Sequence, residues 1–172
     1  MIQGGTPLSG EMVAAGNKNA ALPILAACLL TEEELRIGNV PRIRDVDSML
    51  DPPPGGDTIG RRRLDAHLDA FKDMGAKVGG DTWIELEAPP DGLTATRIFM
   101  DEPSVMGTEN ALMAAALTPG PTTIANAASE PHVQDLARLL CKMGAQVDGI
   151  GSNVMTVHGR DKLGGAEHRV CP

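Results

Sequence analysis

The sequence predicts an α/β fold built from a repeated unit of helix, strand, helix and strand pair, and three observations carry that prediction. Residues 24–46 (I-L-A-A-C-L-L-T-E-E-E-L-R-I-G-N-V-P-R-I-R-D-V) align without gaps on 111–133 (A-L-M-A-A-A-L-T-P-G-P-T-T-I-A-N-A-A-S-E-P-H-V). Leu25, Ala27, Leu30, Thr31, Ile37, Asn39 and Val46 recur there as Leu112, Ala114, Leu117, Thr118, Ile124, Asn126 and Val133. Further on, F-K-D-M-G-A-K-V-G-G at 71–80 answers L-C-K-M-G-A-Q-V-D-G at 140–149. Self-similarity on this scale marks a duplicated supersecondary unit, and alternating helix and strand patterns within it indicate an α/β domain.

Each unit opens with an Ala/Leu-rich helix, over about 19–30 and 107–117, that leads into a strand at about 34–39 and 121–126. A second helix, at about 64–74 and 131–143, stops at Gly75 or Gly144, because glycine takes the left-handed conformation that ends a helix. A strand pair follows, A-K-V then W-I-E-L-E-A in the early copy and A-Q-V then V-M-T-V-H in the late one. The copies differ in length. The first alignment is offset by 87 residues (25 to 112) and the second by 69 (71 to 140), so the early copy carries extra residues near 47–63. It begins its second helix at D-V-D-S-M-L, meets D-P-P-P-G-G, and finishes only beyond it. The pattern is that of two half-units joined near Leu50 and Asp51.

Composition narrows the functional classes. A Phe, Trp and Tyr content of 2 % leaves Phe71, Phe99 and Trp83 as the only residues of that kind, so the core is expected from Leu, Ile, Val, Ala and Met, and no base-stacking platform is expected. A net charge of −8 also argues against a nucleic-acid partner. Cys28, Cys141 and Cys171 lack metal-type spacing and suit a reduced, cytoplasmic setting. His67, His132, His158 and His168 form no metal motif, and no apolar run is long enough for a membrane span.

The stretch P-P-G-G-D-T-I-G-R-R-R-L-D-A-H at 53–67 is the most suggestive for function. Gly55 and Gly56 permit positive φ and close approach to a ligand. Asp57 stands at the tip, and Arg61, Arg62 and Arg63 offer planar guanidinium groups suited to phosphate or carboxylate. The same residues also suit a Pro/Gly turn leading into a solvated basic helix start.

With G-N-K-N-A-A-L-P-I-L-A-A, N-V-P-R-I-R-D-V, P-G-G-D-T-I-G, S-E-P-H-V-Q-D-L and L-G-G-A-E-H-R-V taken in order, the chain resembles the UDP-N-acetylglucosamine 1-carboxyvinyltransferases, enolpyruvyl transferases of peptidoglycan synthesis. The shikimate-pathway enolpyruvyl transferase is a weaker match. The resemblance implies repeated βαβαββ units, three to a domain in a two-domain protein more than twice this length. About two units of one domain are expected here, a hybrid at about 16–90 and a complete one at about 97–168. Residues 1–15 are expected as a strand segment belonging with the other domain. On this reading the chain is internally deleted and C-terminally truncated, with surface left open to self-association.

The implied reaction moves the enolpyruvyl group of phosphoenolpyruvate to the 3-hydroxyl of UDP-N-acetylglucosamine, releasing phosphate without a cofactor or metal. Asp57, Lys18 and Arg62 are the residues expected to carry it. Asp57 stands where many members have a cysteine acting as general acid, and a carboxyl does that work if burial raises its pKa. Arg62 matches an arginine that meets phosphoenolpyruvate. Lys18 and Asn19 match a substrate-contacting pair at the first helix N-terminus, although from the residues alone a surface Lys and an N-cap Asn is the better reading. Asp65 and His67 fall where the family handles the nucleotide sugar. Ser104 and Val105 match its diphosphate-contacting segment, while Glu102 and Met106 depart from that pattern. Glu130 matches a glutamate near substrate and also suits an acidic helix start. An absent second domain would leave the cleft with one wall and the chain with little or no turnover.

Because a carboxylate is a far poorer nucleophile than a thiolate toward an epoxide, the Asp57 loop implies insensitivity to fosfomycin. Incubation with fosfomycin is expected to leave Asp57 unmodified by mass spectrometry; an adduct on Asp57 would contradict this.

Overall fold

The computed structural model describes residues 9–50, 64–80 and 84–172. Asp57 and the Arg61–Arg63 run therefore lie outside the described residues. In chain order the elements are α1 (Lys18–Ala27), β1 (Leu35–Gly38), α2 (Arg44–Leu50), α3 (Asp65–Asp73), β2 (Lys77–Gly79), β3 (Glu85–Glu87), β4 (Arg97–Phe99), α4 (Val105–Ala116), β5 (Gly120–Ala125), α5 (Pro131–Lys142), β6 (Gln146–Asp148), β7 (Val154–Gly159) and β8 (Ala166–Arg169). A short 3₁₀ turn, Cys28–Leu30, extends α1. Of the expected strand segment 1–15, residues 9–15 are described. They form no regular element, and Met12 and Val13 stand in solvent.

The late copy is a four-stranded sheet in the order β4-β5-β7-β6, in which only the β4–β5 pair is parallel. The early copy is divided into a parallel pair, β1 with β8, and an antiparallel hairpin, β2 with β3. Its helices divide in the same way, α2 packing on α1 and α3 on α4. The described parts of the early copy on either side of residues 51–63 thus dock on different helices.

Repeated residues do repeated work. Asn39 and Asn126 are the two described non-glycine residues with positive φ, at 58° and 57°. Asparagine tolerates that region better than other side-chain-bearing residues. Each ends a strand and turns its amide onto the strand alongside: Asn39 Nδ2 donates to the Val170 carbonyl at 2.9 Å, and Asn126 Nδ2 to the Met100 carbonyl at 2.8 Å. Asn17 and Ser104, also 87 residues apart, cap α1 and α4. Gly75 and Gly144 take φ of 95° and 112° just past α3 and α5, as the sequence required of them.

These equivalences show what β8 does. β4 runs parallel to β5 and leads into the cap of α4. β8 runs parallel to β1, and the Cys171 carbonyl beyond it accepts the Asn17 amide at the cap of α1, at 2.7 Å. The last strand of the chain therefore stands in front of the first helix, as β4 stands in front of α4.

A buried carboxylate holds it there. Asp135 of α5 accepts His168 Nε2 on Oδ1 at 3.1 Å and the Cys171 amide on Oδ2 at 2.9 Å. Both Asp135 and His168 are buried. Burial pushes the His168 pKa down, outweighing the pull of Asp135, so the imidazole is neutral and donates a hydrogen bond. Bonds to a charged acceptor contribute about 1.5–3 kcal/mol each.

Among the described residues the core contains no fully buried phenyl or indole ring. Ile24, Leu112, Ile124, Val133, Leu136, Leu139, Leu140, Met143 and Met155 fill it between the helices and the late-copy sheet. Phe99 lies exposed on the edge strand β4. Among the described residues no helix is long and apolar enough to cross a membrane.

Candidate functional site

The first turns of α1, α4 and α5 open on one groove of about 590 Å³. Asn19 comes from α1, Val105 and Met106 from α4, and Glu130 and His132 from the start of α5. Leu22, Pro23, Met49 and Met113 supply apolar walls, and Glu109 and Asn110 reach it from the second turn of α4. A helix start carries the positive end of the helix dipole. Three such starts on one hollow favour an anionic or acceptor-rich ligand.

Local sequence explains each start. Asn17 Oδ1 accepts the amides of Asn19 and Ala20 at 2.8 and 3.3 Å, so the N-cap is Asn17, two residues ahead of Asn19. Asn19 is thereby left free of the capping role that its residue type suggested. Pro23 lacks an N–H, so the Asn19 carbonyl loses its i+4 donor. Ser104 Oγ accepts the Gly107 amide at 3.2 Å, and the Ser104 carbonyl accepts Thr108 Oγ1 at 2.7 Å. Gly107 allows that cap, since a Cβ there would stand 3.0 Å from Ser104 Oγ. Pro131 begins α5 where its missing N–H costs nothing. Glu130 occupies the N-cap without a side-chain cap bond, which leaves its carboxylate facing the groove.

The structure gathers part of the expected site. Asn19, Val105 and Glu130 line the groove. Ser104 is adjacent but committed to capping α4. Lys18 lies on the same turn as Asn19 and is held in an ion pair by Asp45 of α2. Asp65 begins α3 at an exposed position. His67 is half-buried on α3, and Asn110 donates to its Nδ1 at 2.8 Å, which puts the ring proton on Nε2. Burial lowers the His67 pKa, so the ring is neutral. Asp57 and Arg62 fall outside the described residues.

Glu109 was missed. It is 5 % exposed, and its Oε1 has no hydrogen-bond partner among the described residues. Burial, and secondarily the charge of Glu130, push its pKa up to about 7. A signal was present: E-N interrupts the otherwise apolar and small run V-M-G-T-E-N-A-L-M-A-A-A. Asn110 and His132 likewise become visible only through the groove they share.

With this geometry in view, the profile of the EPSP synthase (3-phosphoshikimate 1-carboxyvinyltransferase) family matches residues 2–52 and 54–172. The chain belongs to this enolpyruvyl transferase family. Within it, the chain is similar to the UDP-N-acetylglucosamine 1-carboxyvinyltransferase of Bradyrhizobium diazoefficiens, 40 % identical over 228 aligned positions that cover 100 % of this chain and 52 % of that protein. The protein of the same name from Treponema denticola is 41 % identical, over 100 % of this chain and 53 % of its own length. The enolpyruvyl transferase NikO of Streptomyces tendae shares the fold, with a TM-score of 0.76 at 21 % identity over 99 % of this chain and 54 % of that one. An EPSP synthase from Acinetobacter baumannii also shares it, with a TM-score of 0.70 at 14 % identity over 94 % of this chain and 50 % of that one. The chain spans about half the length of the relatives it matches. An alignment of 228 positions against 172 residues also means that the relative carries residues inside the matched span that this chain lacks.

Glu109 gives a pH test with a defined sign. Its folded pKa of about 7 lies above the unfolded value of 4.5, so between them the folded state keeps a proton that the unfolded chain has released. Stability conferred by the protonated form is full below 4.5 and declines as pH rises to about 7. Glu109→Gln, neutral and isosteric, is expected to remove that decline and to gain up to ~3 kcal/mol at alkaline pH, with little change at acidic pH. Urea unfolding at both pH values checks this; an equal effect at both would refute it.

Proposed function

We propose that the groove is one wall of an enolpyruvyl-transfer site that binds UDP-N-acetylglucosamine and works with phosphoenolpyruvate. The observation that carries this reading is the convergence of three helix starts on a single hollow. It suits a ligand with a diphosphate, and the names of the 40–41 % identical relatives supply its chemistry. In this reaction the sugar 3-hydroxyl gives up its proton and adds to C2 of phosphoenolpyruvate while C3 takes a proton. Breaking the C2–O bond to phosphate with loss of a proton from C3 then forms the enol ether, and the hydroxyl proton leaves with the phosphate.

On this reading Asp57 holds the proton for C3, and Arg62 and Lys18 neutralise the anions of phosphoenolpyruvate. Asn19 and the helix starts at Ser104–Val105 and Glu130 seat the nucleotide sugar, and Asp65 and His67 approach it from α3. The Lys18–Asp45 pair is half exposed, and such a pair contributes about 1 kcal/mol or less, so Lys18 is readily exchanged onto a ligand. Both substrates are polar, water-soluble metabolites, which agrees with a cytoplasmic setting and a role in peptidoglycan synthesis.

Acceleration of such a transfer depends on closing the site against water and on charges from both sides. Because the groove supplies one wall of such a site, we infer that residues 1–172 by themselves bind without appreciable turnover. Purified chain is expected to bind UDP-N-acetylglucosamine, shifting the amide resonances of Asn19, Met106 and His132. Phosphate release from phosphoenolpyruvate is expected to stay at background with or without the sugar. Sugar-dependent release would overturn the inference of a silent site. Release dependent on shikimate 3-phosphate would reassign the substrate, and no binding at all would mark the chain as a structural module.

A further inference from the structure

Dividing the early copy leaves two strand edges with a single neighbour among the described residues: β1 has only β8, and β3 has only β2. In the late copy the corresponding strands are joined, since β5, the counterpart of β1, pairs antiparallel with β7, the counterpart of β3. Strand edges of this kind are templates for strand addition from another chain. We propose that a second copy of this chain supplies the missing pairing, its β3 adding antiparallel to β1. The order β8-β1-β3-β2 across two chains then reproduces the order β4-β5-β7-β6 within one.

The register follows from the repeat and can be judged for fit. In the late copy Thr122 faces Val157, Thr123 faces Thr156 and Ile124 faces Met155. The 87-residue offset carries Thr122, Thr123 and Ile124 onto Leu35, Arg36 and Ile37. The hairpins carry β7 onto β3, because the pairs Val147–Val157 and Asp148–Thr156 correspond to Val78–Leu86 and Gly79–Glu85. Leu35 therefore falls opposite the partner's Leu86, Arg36 opposite the partner's Glu85, and Ile37 opposite the partner's Ile84.

The repeat and the hairpin pairings fix this register, and the side chains that meet across the seam match it. Both apolar pairs fall on one face of the seam and the opposite charges on the other, as the two-residue period of a strand requires. Leu86 and Ile84 are 48 % and 49 % exposed in the single chain, so pairing removes apolar surface from water. One further position sets Glu34 opposite the partner's Glu87. Each of these acids already has a cation beside it, Arg36 at 2.8 Å and Lys77 at 3.3 Å. Every copy carries both edges, so reciprocal addition makes two equal seams and closes as a twofold dimer.

The test is the mass in solution of the full chain across a concentration series, by sedimentation or light scattering, with charge reversals at the seam. The unmodified chain is expected to form a reversible dimer. Arg36→Glu or Glu85→Arg alone turns two attractive cross-strand pairs repulsive and is expected to weaken the dimer by about tenfold or more. The two reversals together restore opposite charges and are expected to recover dimerisation, with unchanged circular dichroism throughout. A chain that stays monomeric at every concentration overturns the proposal. So does association that the single reversals leave untouched, or a double reversal that fails to rescue.

Discussion

The Asp135 carboxylate is the point on which the arrangement of this chain depends. It is buried in α5, the helix that packs against both α1 and α4. Its two oxygens hold His168 and the Cys171 amide, and the Cys171 carbonyl in turn receives the first amide of the α1 cap. One side chain thus ties the C-terminal strand to the middle of the fold and sets the start of α1 in front of it. Lys18 and Asn19 inherit their positions from that linkage. Loss of the carboxylate would strand a buried imidazole and a backbone amide, and each buried donor left unpaired costs about 1–3 kcal/mol.

The groove inherits its electrostatics from the same construction. Three helix starts contribute positive potential, and the Glu109 and Glu130 carboxyl groups oppose it from α4 and α5. Burial lets Glu109 keep a proton near neutral pH, which limits the opposition to Glu130. The hollow is accordingly less hostile to an anion than two carboxylates would make it. Neutral His67, accepting from Asn110, adds an uncharged support beneath the α4 side.

Much of the fold could be read from residues because it repeats. The helices near 19–30, 107–117 and 131–143 and the strands near 35–38 and 120–125 lie within a few residues of their expected places, and Gly75 and Gly144 end their helices as expected. Recurrence of Asn39 as Asn126 was visible, but its cause was not. Positive φ and a cross-strand amide bond are properties of the assembled sheet. The change of offset near Leu50 and Asp51 was visible in the sequence, but the stretch from 51 to 63 lies outside the described residues. In contrast, Asp135 sits in a helix whose sequence, P-H-V-Q-D-L-A-R-L-L-C-K, gives no sign that one of its polar residues turns inward. Its partners are more than thirty residues away, beyond the reach of any local pattern. Glu109 was half legible, as a charge set among small and apolar neighbours. Asn19 illustrates a local ambiguity: only the observed cap at Asn17 frees it for the groove.

The central claim, that Asp135 positions the start of α1 through the C-terminal strand, is tested most directly by amide hydrogen exchange in Asp135→Ala beside the unmodified chain. Protection is expected to fall together at His168–Cys171 and at Asn17, Asn19 and Ala20, with β5 and β7 far less affected. Loss confined to the C-terminal strand, with Asn17, Asn19 and Ala20 as protected as before, would contradict the account.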